Sequence, residues 1–411
     1  MSDLISYTLN EIAEFSKGIS YSSSDYTENG TGITFITIKS ILKGGGYDKT
    51  GLKTIRNRFT QQDLLSEDDL LIAITDLTRD GDIVGSPIII PKHLVGSVAS
   101  MDLVRIILNE SITCTRYLYY FLMLPSTRRY FVNHSSGSTV LHLETKSIPK
   151  LTIPLLSLDD QKRVVKILST VDEVIEKTEA AIDKYQAIKA GMMQDLFTRG
   201  IDTQTGKLRP TIEEAPELYK ESELGWIPKE WEVNSLKEVS AIEYGASPKS
   251  ITSNDITNIP IFGSSGNLGY ATQSLFNAPL IVVARKGTLN KPTLSNTACW
   301  VIDTAYAITP ASRINCTWLY YQLDAYDLRR LNESTGVPSI SRDYLSRIKL
   351  KKPEDTIEQD KIANILMDID NHILSETISR NKYQSIKQGL MADLLTGKVR
   401  VNLNHDKVEN R

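Results

Sequence analysis

The chain has 411 residues, 41% of them hydrophobic and 24% charged, with a formal net charge of −3. That is enough apolar material for two separate cores, whereas the near-neutral balance excludes a stand-alone, non-specific nucleic-acid binder, whose affinity would come from neutralising phosphates. No run approaches the roughly 20 apolar residues of a membrane span, Met1-Ser2-Asp3-Leu4 opens no basic-then-apolar leader, and three scattered cysteines suit neither a zinc site nor a disulfide framework, so a soluble cytoplasmic protein is expected.

Short β-branched runs bounded by Gly, Pro, Asp or Asn come first, and 33–38, 70–74, 88–90 and 104–108 read as strands. Residues 117–124 read as an amphipathic helical piece, then Ser135-Ser136-Gly137-Ser138 forms a loop before an apolar strand reaching Pro154. From 161 to 198 the pattern changes to that of one long helix. Val164, Leu168, Val171, Ile175, Thr178, Ile182 and Tyr185 alternate spacings of four and three, followed by Ile188 and Met192. At about 1.5 Å per residue such a helix is roughly 57 Å long and needs a partner along its length.

The stretch 200–223, rich in Thr, Pro and Glu, reads as a linker. A second variable stretch carries strands at 280–284 and 300–302, a helical piece at 318–323, a Ser334-Thr335-Gly336-Val337 loop and a strand reaching Pro353. The end of the chain then repeats its middle. Residues 161–198 align without a gap on 359–396, with 15 identities in 38 positions, polar ones included: Gln161, Asp172, Lys184, Tyr185, Gln186, Lys189, Gly191, Met193 and Asp195 all recur. Shared apolar register alone would not reproduce those polar residues, so the chain is an internal duplication.

The repeat extends upstream more faintly. Leu9-Asn10-Glu11-Ile12 with Gly18 parallels Leu236-Lys237-Glu238-Val239 with Gly245, and 112–122 echoes 314–323, so that Cys114 and Cys316 are expected at matched, buried positions. The expected fold class is α/β, two modules of mixed strands and short helices separated by two long antiparallel coiled-coil helices from a tandem duplication. The expected boundaries are 1–158 for the first module, 159–199 for the first long helix, 200–230 for the linker, 231–354 for the second module, 355–397 for the second long helix and 398–411 for a polar tail. The expected helix contacts are Leu168, Ile175, Ile182, Tyr185, Leu366, Ile369, Ile373 and Tyr383, while Glu376 and Arg380 interrupt the second seam.

Catalytic patterns are missing. Gly200 to Gly206-Lys207-Leu208 has one residue too many for a phosphate-binding loop and lacks its hydroxyl, no strand leads into Gly-x-Gly-x-x-Gly, and no Asn/Asp-Pro-Pro-aromatic tetrapeptide of an amino-methyltransferase occurs. His93, His134, His142, His372 and His405 show no metal-ligand spacing, and His134 and His142 have no counterparts in the second half. No catalytic or metal residue is assigned. Basic residues do cluster: Lys39, Lys43, Lys49, Lys53, Arg56 and Arg58 against Asp48 alone, and Arg285, Lys286 and Lys291 around Gly287.

Two divergent modules alternating with near-copies of one helix resemble the specificity subunit of a type I restriction-modification enzyme. The resemblance spans essentially the whole chain. It rests on the helix openings at Gln161 and Gln359, the Lys184-Tyr185-Gln186 and Lys382-Tyr383-Gln384 helix ends, and Glu223-Leu224-Gly225-Trp226-Ile227-Pro228-Lys229-Glu230-Trp231, similar to the family's lead into its second recognition domain. It implies that each module is a target-recognition domain reading one half of a bipartite, asymmetric DNA site, with the helices setting the gap. It further implies two methyltransferase subunits that use S-adenosylmethionine to methylate adenine-N6, and restriction-motor subunits that use ATP and Mg; no cofactor is expected on this chain. The lead segment has no counterpart before Leu9, so any contact it makes is expected in the second half only.

Sequence reading needs side chains at base edges, with Arg to guanine and Asn or Gln to adenine as the usual bidentate pairs. The loop candidates are Lys39, Lys43, Arg56, Arg58, Thr75, Asp76 and Arg79 in the first module, and Ser264, Ser265, Asn267, Tyr270, Arg285, Lys286, Asn290 and Lys291 in the second. Alone, the chain is expected to bind DNA weakly. The competing readings are a two-module protein-interaction scaffold and the specificity protein of another multisubunit restriction system.

Overall fold

The structure, a computed structural model, describes residues 4–27, 31–56, 59–78, 80–248, 252–255, 259–289 and 291–400; Arg58, Arg79, Asn290, His405 and the end of the expected tail lie outside the described residues. It divides into two compact units, residues 1–177 with 379–411 and residues 178–378. Both boundaries fall inside the long helices, Leu158–Leu196 and Thr356–Leu394, so each unit holds one module and a segment of each helix.

In the first unit a four-stranded antiparallel sheet runs in the order Ala13–Lys17, Leu103–Leu108, Leu70–Ala73, Pro87–Ile89. In the second the order is Ser240–Tyr244, Ala305–Pro310, Leu280–Ala284, Thr293–Ser295. A second small sheet is also duplicated. Tyr26–Thr27, Lys53–Ile55, Ile33–Ile36 and Val98–Ala99 match Thr252–Ser253, Gly266–Ala271, Ile259–Gly263 and Trp300–Val301, and in both the last pair is parallel. The two modules therefore share one topology, although between the faint repeats their sequences diverge almost completely. Several strands of the second, Ile259–Gly263 and Ala305–Pro310 among them, carry Gly, Pro or Ala and lack the long β-branched runs by which strands are recognised.

The faint repeats have local causes. Glu11 accepts hydrogen bonds from Thr8 N and Oγ1, both 2.6 Å, and Glu238 accepts from Ser235 N and Oγ at 2.5 and 2.6 Å, so each caps a one-turn helix. These turns follow the strands Ile5–Thr8 and Trp231–Ser235, which pair with Thr152–Leu155 and Lys349–Pro353. At Gly18 an added Cβ would lie 2.2 Å from the Ser100 carbonyl oxygen, and at Gly245 it would lie 2.1 Å from that of Ile302. Both glycines let one strand end cross another backbone.

In the first unit Leu70, Ile72, Tyr117, Ile153, Val164 and Leu168 share a core with Met391 and Leu394. In the second, Ile281, Val283, Trp318 and Leu350 share one with Leu196, Ile362 and Leu366. The helix segments run antiparallel: Lys189 meets Asp370, and four residues earlier Tyr185 stacks on His372, with centroids 5.2 Å apart.

Three expectations change. Ile188 is 40% exposed, because its neighbour Lys189 takes the inward position and successive helical side chains are turned about 100° apart. Cys114 is matched by Asn315, not Cys316: the backbone N–H of Cys114 donates to Gln161 and that of Asn315 to Gln359. The segment expected as a linker is folded onto the second unit, with a hairpin of Tyr219–Ser222 and Gly225–Pro228. Glu358, 2% exposed, accepts from Ile201 N at 2.7 Å, from both terminal nitrogens of Arg209 and from Trp231 Nε1 at 3.1 Å. Thus buried Trp231 is the anchoring aromatic, while Trp226 is half exposed. Among the described residues, no helix is long and apolar enough to cross a membrane and no group of three or more His, Cys, Asp or Glu could hold a metal ion.

Candidate nucleic-acid interface

In each unit the chain leaving a central strand of the larger sheet is laced to the loop that follows the module's helical piece. In the first unit Thr75–Asp76 pairs with Leu141–His142, and Leu143 N donates to Ile74 O at 2.8 Å. In the second, Gly287 N donates to Pro338 O and Ile340 N to Arg285 O, each 2.9 Å, and Lys286 bridges Ser339. The Ser-Gly loops named from sequence thus lie beside the strand-end candidates in both modules, a juxtaposition no local pattern encodes. Rigid strands carrying adaptable loops suit recognition.

Of the first-unit candidates, Thr75 and Asp76 are buried. Asp76 accepts the backbone N–H groups of Thr78, Ile83 and Val84 at 2.6, 2.6 and 2.8 Å, shaping the 76–84 loop instead of facing a base. Burial works to raise its carboxyl pKa, but Thr78 and those amides outweigh it and hold the group below the usual value. Arg128, unmarked by the sequence, roofs this loop: Nη2 donates to the carbonyls of Gly81 and Asp82, at 3.3 and 3.0 Å. Burial lowers its pKa to about 10, against the pull of Asp76 and Asp82. Lys43 is exposed and pairs with Asp82 at 2.6 Å, Lys39 is exposed, and Arg56 donates from Nε to Thr31 O at 2.7 Å.

In the second unit Ser264 and Ser265 form the turn of the hairpin Ile259–Gly263/Gly266–Ala271. Ser264 Oγ would lie 3.3 Å from a Cβ added to Gly287, so that turn meets the Arg285-Lys286-Gly287 segment. Asn267 is exposed and its Oδ1 accepts from Gly269 N, while Tyr270, half-buried, lies opposite Pro260 and Ser253 in the sheet. Arg285 lies 5.1 Å above the Tyr244 ring and Lys286 is exposed. Lys291 is drawn elsewhere, 3.6 Å from Asp324, where both line a cleft of about 900 Å³ with Lys189 and Asp370.

The duplicated polar residues have matching duties. Gln161 and Gln359, both buried, tie the helix starts to the preceding loops: Gln161 accepts from Thr113 Oγ1 and Cys114 N and donates to Ile112 O and Leu156 O, and Gln359 accepts from Asn315 N and donates to Pro353 O. Tyr120 donates to Asp172 at 2.7 Å, and Lys387 of the other helix lies 2.6 Å from the same carboxylate. In the second unit Tyr321 donates to Asp370 at 2.8 Å, with Lys189 2.8 Å away. Burial, then the adjacent carboxylate, raises both tyrosine pKa values, so each hydroxyl stays a donor. Among the apolar candidates, Leu168, Ile182 and Leu366 are buried, whereas Ile175, Tyr185, Ile373 and Tyr383 are half-buried and Ile369 packs on the second core.

The sequence matches the family model described as type I restriction modification DNA specificity domain over residues 1–184 and 228–388. It is similar to the type I restriction enzyme MjaVIII specificity subunit of Methanocaldococcus jannaschii, at 27% identity over 87% of this chain and 86% of that one. It is likewise similar to the putative MjaX specificity subunit of the same organism, at 28% identity over 78% and 79%. In fold it matches the crystal structure of a type I restriction-modification system S subunit from M. genitalium, with a TM-score of 0.66 at 15% identity over 96% of both chains.

Proposed function

The chain belongs to the type I restriction modification DNA specificity family, and from that premise we propose how this DNA sequence-recognition subunit divides its work: each module reads one half of a bipartite, asymmetric site, and the long helices fix the gap between the halves. One observation carries the reading. The modules share strand order and duplicated helix contacts, yet place different chemistry at matched strand ends, buried Thr75 opposite His142 in one and exposed Lys286 opposite Ser339 in the other. One scaffold with unlike loops suits half-sites that differ in sequence.

The chain itself directs chemistry done by others. Two methyltransferase subunits bring S-adenosylmethionine and methylate adenine-N6, and restriction-motor subunits use ATP and Mg to cleave, all in the cytoplasm. Weak DNA binding by the isolated chain fits its net charge of −3, with partners supplying phosphate contacts.

The test is to co-express the chain with the methyltransferase encoded beside it and map N6-methyladenine by single-molecule sequencing. A split, asymmetric motif that requires this chain, and whose two halves follow the two modules when each is exchanged, is the expected result. A contiguous motif, or methylation unaffected by exchanging residues 1–158, would refute it and favour the scaffold reading.

A further inference from the structure

On the reading that the second module binds DNA, we propose that Arg285 and Arg342, gathered on the Tyr244 ring, form a contact for the DNA sugar–phosphate backbone beside that module's reading loops. Tyr244 ends the strand Ser240–Tyr244, at the edge of its sheet, and is 49% exposed. The Arg285 guanidinium lies 5.1 Å from its ring centroid and that of Arg342 5.9 Å. Such contacts stabilise only weakly at exposed sites. Yet here two like charges share one ring, an arrangement that an anion between or beside them would relieve.

Among the described residues nothing neutralises them. Arg285 Nη1 donates to a carbonyl, that of Asp303, at 3.1 Å, and Asp343, next to Arg342, is taken by Arg347 at 2.6 Å. Among the described residues no carboxylate pairs with either guanidinium. Glu243 lines the same open cleft as Tyr244, Arg342, Asp343 and Lys237, but the strand pleat turns its side chain to the sheet face opposite that of Tyr244.

The arrangement is also built in advance. The Tyr306 ring lies 5.2 Å from that of Tyr244, and its hydroxyl donates to Ile340 O at 3.0 Å; Ile340 N in turn donates to Arg285 O. Two residues beyond Ile340 the chain reaches Arg342, so both arginines stand on backbone that the same tyrosine pair fixes. Burial raises the Tyr306 pKa to about 12, which keeps that donor intact at working pH. A pre-positioned, uncompensated pair of guanidiniums matches the bidentate geometry of phosphate oxygens. In the first module Lys17 takes the place of Tyr244, and Val104 that of Tyr306, so the device belongs to the second half-site alone.

The experiment uses the full chain reconstituted with its methyltransferase subunits and a duplex carrying the mapped motif, with Kd measured against salt concentration. Arg342→Ala and Arg285→Ala should each weaken binding about three- to tenfold near 0.15 M salt and reduce the log–log salt slope by about one. The methylated motif should be unchanged, and Arg342→Lys should keep the slope. Unchanged affinity and slope in both alanine variants, with their melting temperature retained, would overturn the proposal. So would relaxation of one base in the second half-site at constant slope, which would make the arginine a base reader. A wild-type complex with no preference for the mapped duplex would instead sink the recognition reading itself.

Discussion

Lys387 of the second long helix ends 2.6 Å from Asp172 of the first, and the same two residue types, each displaced by 198 positions, meet as Lys189 and Asp370 at 2.8 Å. A duplicated helix paired antiparallel with its own copy can make an interhelix contact twice, once in each unit, wherever both partners recur. Each lysine is mostly buried, 16% and 15% exposed at the side chain, and each carboxylate also accepts a tyrosine hydroxyl. Such a charged contact has only one register in which both partners are satisfied, as a polar residue on an apolar seam does in coiled coils.

Exchanging the charges tests this. Lys387→Asp or Asp172→Lys alone should each cost about 1–3 kcal/mol in urea unfolding, by leaving a mostly buried charge against a like neighbour. The double exchange should recover at least half of that loss. Additive losses would mean that the pair does not hold the register.

Glu358 joins the second long helix to the chain that leaves the first, through Ile201, Arg209 and Trp231. Glu358→Ala strands a mostly buried guanidinium and an indole N–H, and should cost about 3–5 kcal/mol while opening residues 200–215 to limited proteolysis. The matched residue in the first half, Asp160, pairs with Arg163 at an exposed site. Asp160→Ala should therefore change stability by less than about 1 kcal/mol, and a similar loss from both variants would contradict the asymmetry.

Asp76 supplies a pH test with a definite sign. Its carboxyl is held below the ordinary value of 3.8, so its stabilisation is complete above that value and lost as pH falls through the lower folded value. Asp76→Asn should destabilise by about 1–3 kcal/mol at pH 7. The gap between variant and wild type in urea unfolding should stay constant down to about pH 5 and close below 3.8. A gap independent of pH would rule out the carboxylate as its source.

The helices can be lengthened together. Inserting one heptad after Ala180 and another after Ile378, opposite it in the antiparallel register, adds about 10 Å of helix and keeps the buried faces aligned. Methylation mapping should then find both half-sites unchanged and a longer gap, by no more than about three base pairs at ~3.4 Å each. Altered half-sites would refute the helices as spacer.

Much of this was legible from residues alone because it recurs. Gln161, Asp172, Lys189 and their copies announce the duplication, and in both halves these polar side chains meet matching partners. Glu11 and Glu238 are likewise local, since a capping box closes within four residues. Strand recognition succeeded where β-branched runs were long, as at Ile33–Ile36, and failed for Ile259–Gly263 and Ala305–Pro310, where pairing and burial decided against weak propensity.

The sequence by itself determined that the chain is a doubled unit, that its long helices need partners and that its modules are mixed α/β. Only the tertiary structure decided which polar residues are spent inside. Asp76 was as plausible a base reader as Arg285 until its carboxylate was seen closing a loop, and Arg342 carried no signal until the fold brought it onto Tyr244. The physical reason is range. Caps, turns and helix periodicity are settled within a few residues, whereas the availability of a charged side chain depends on backbone amides, carboxylates and rings contributed from anywhere along the chain.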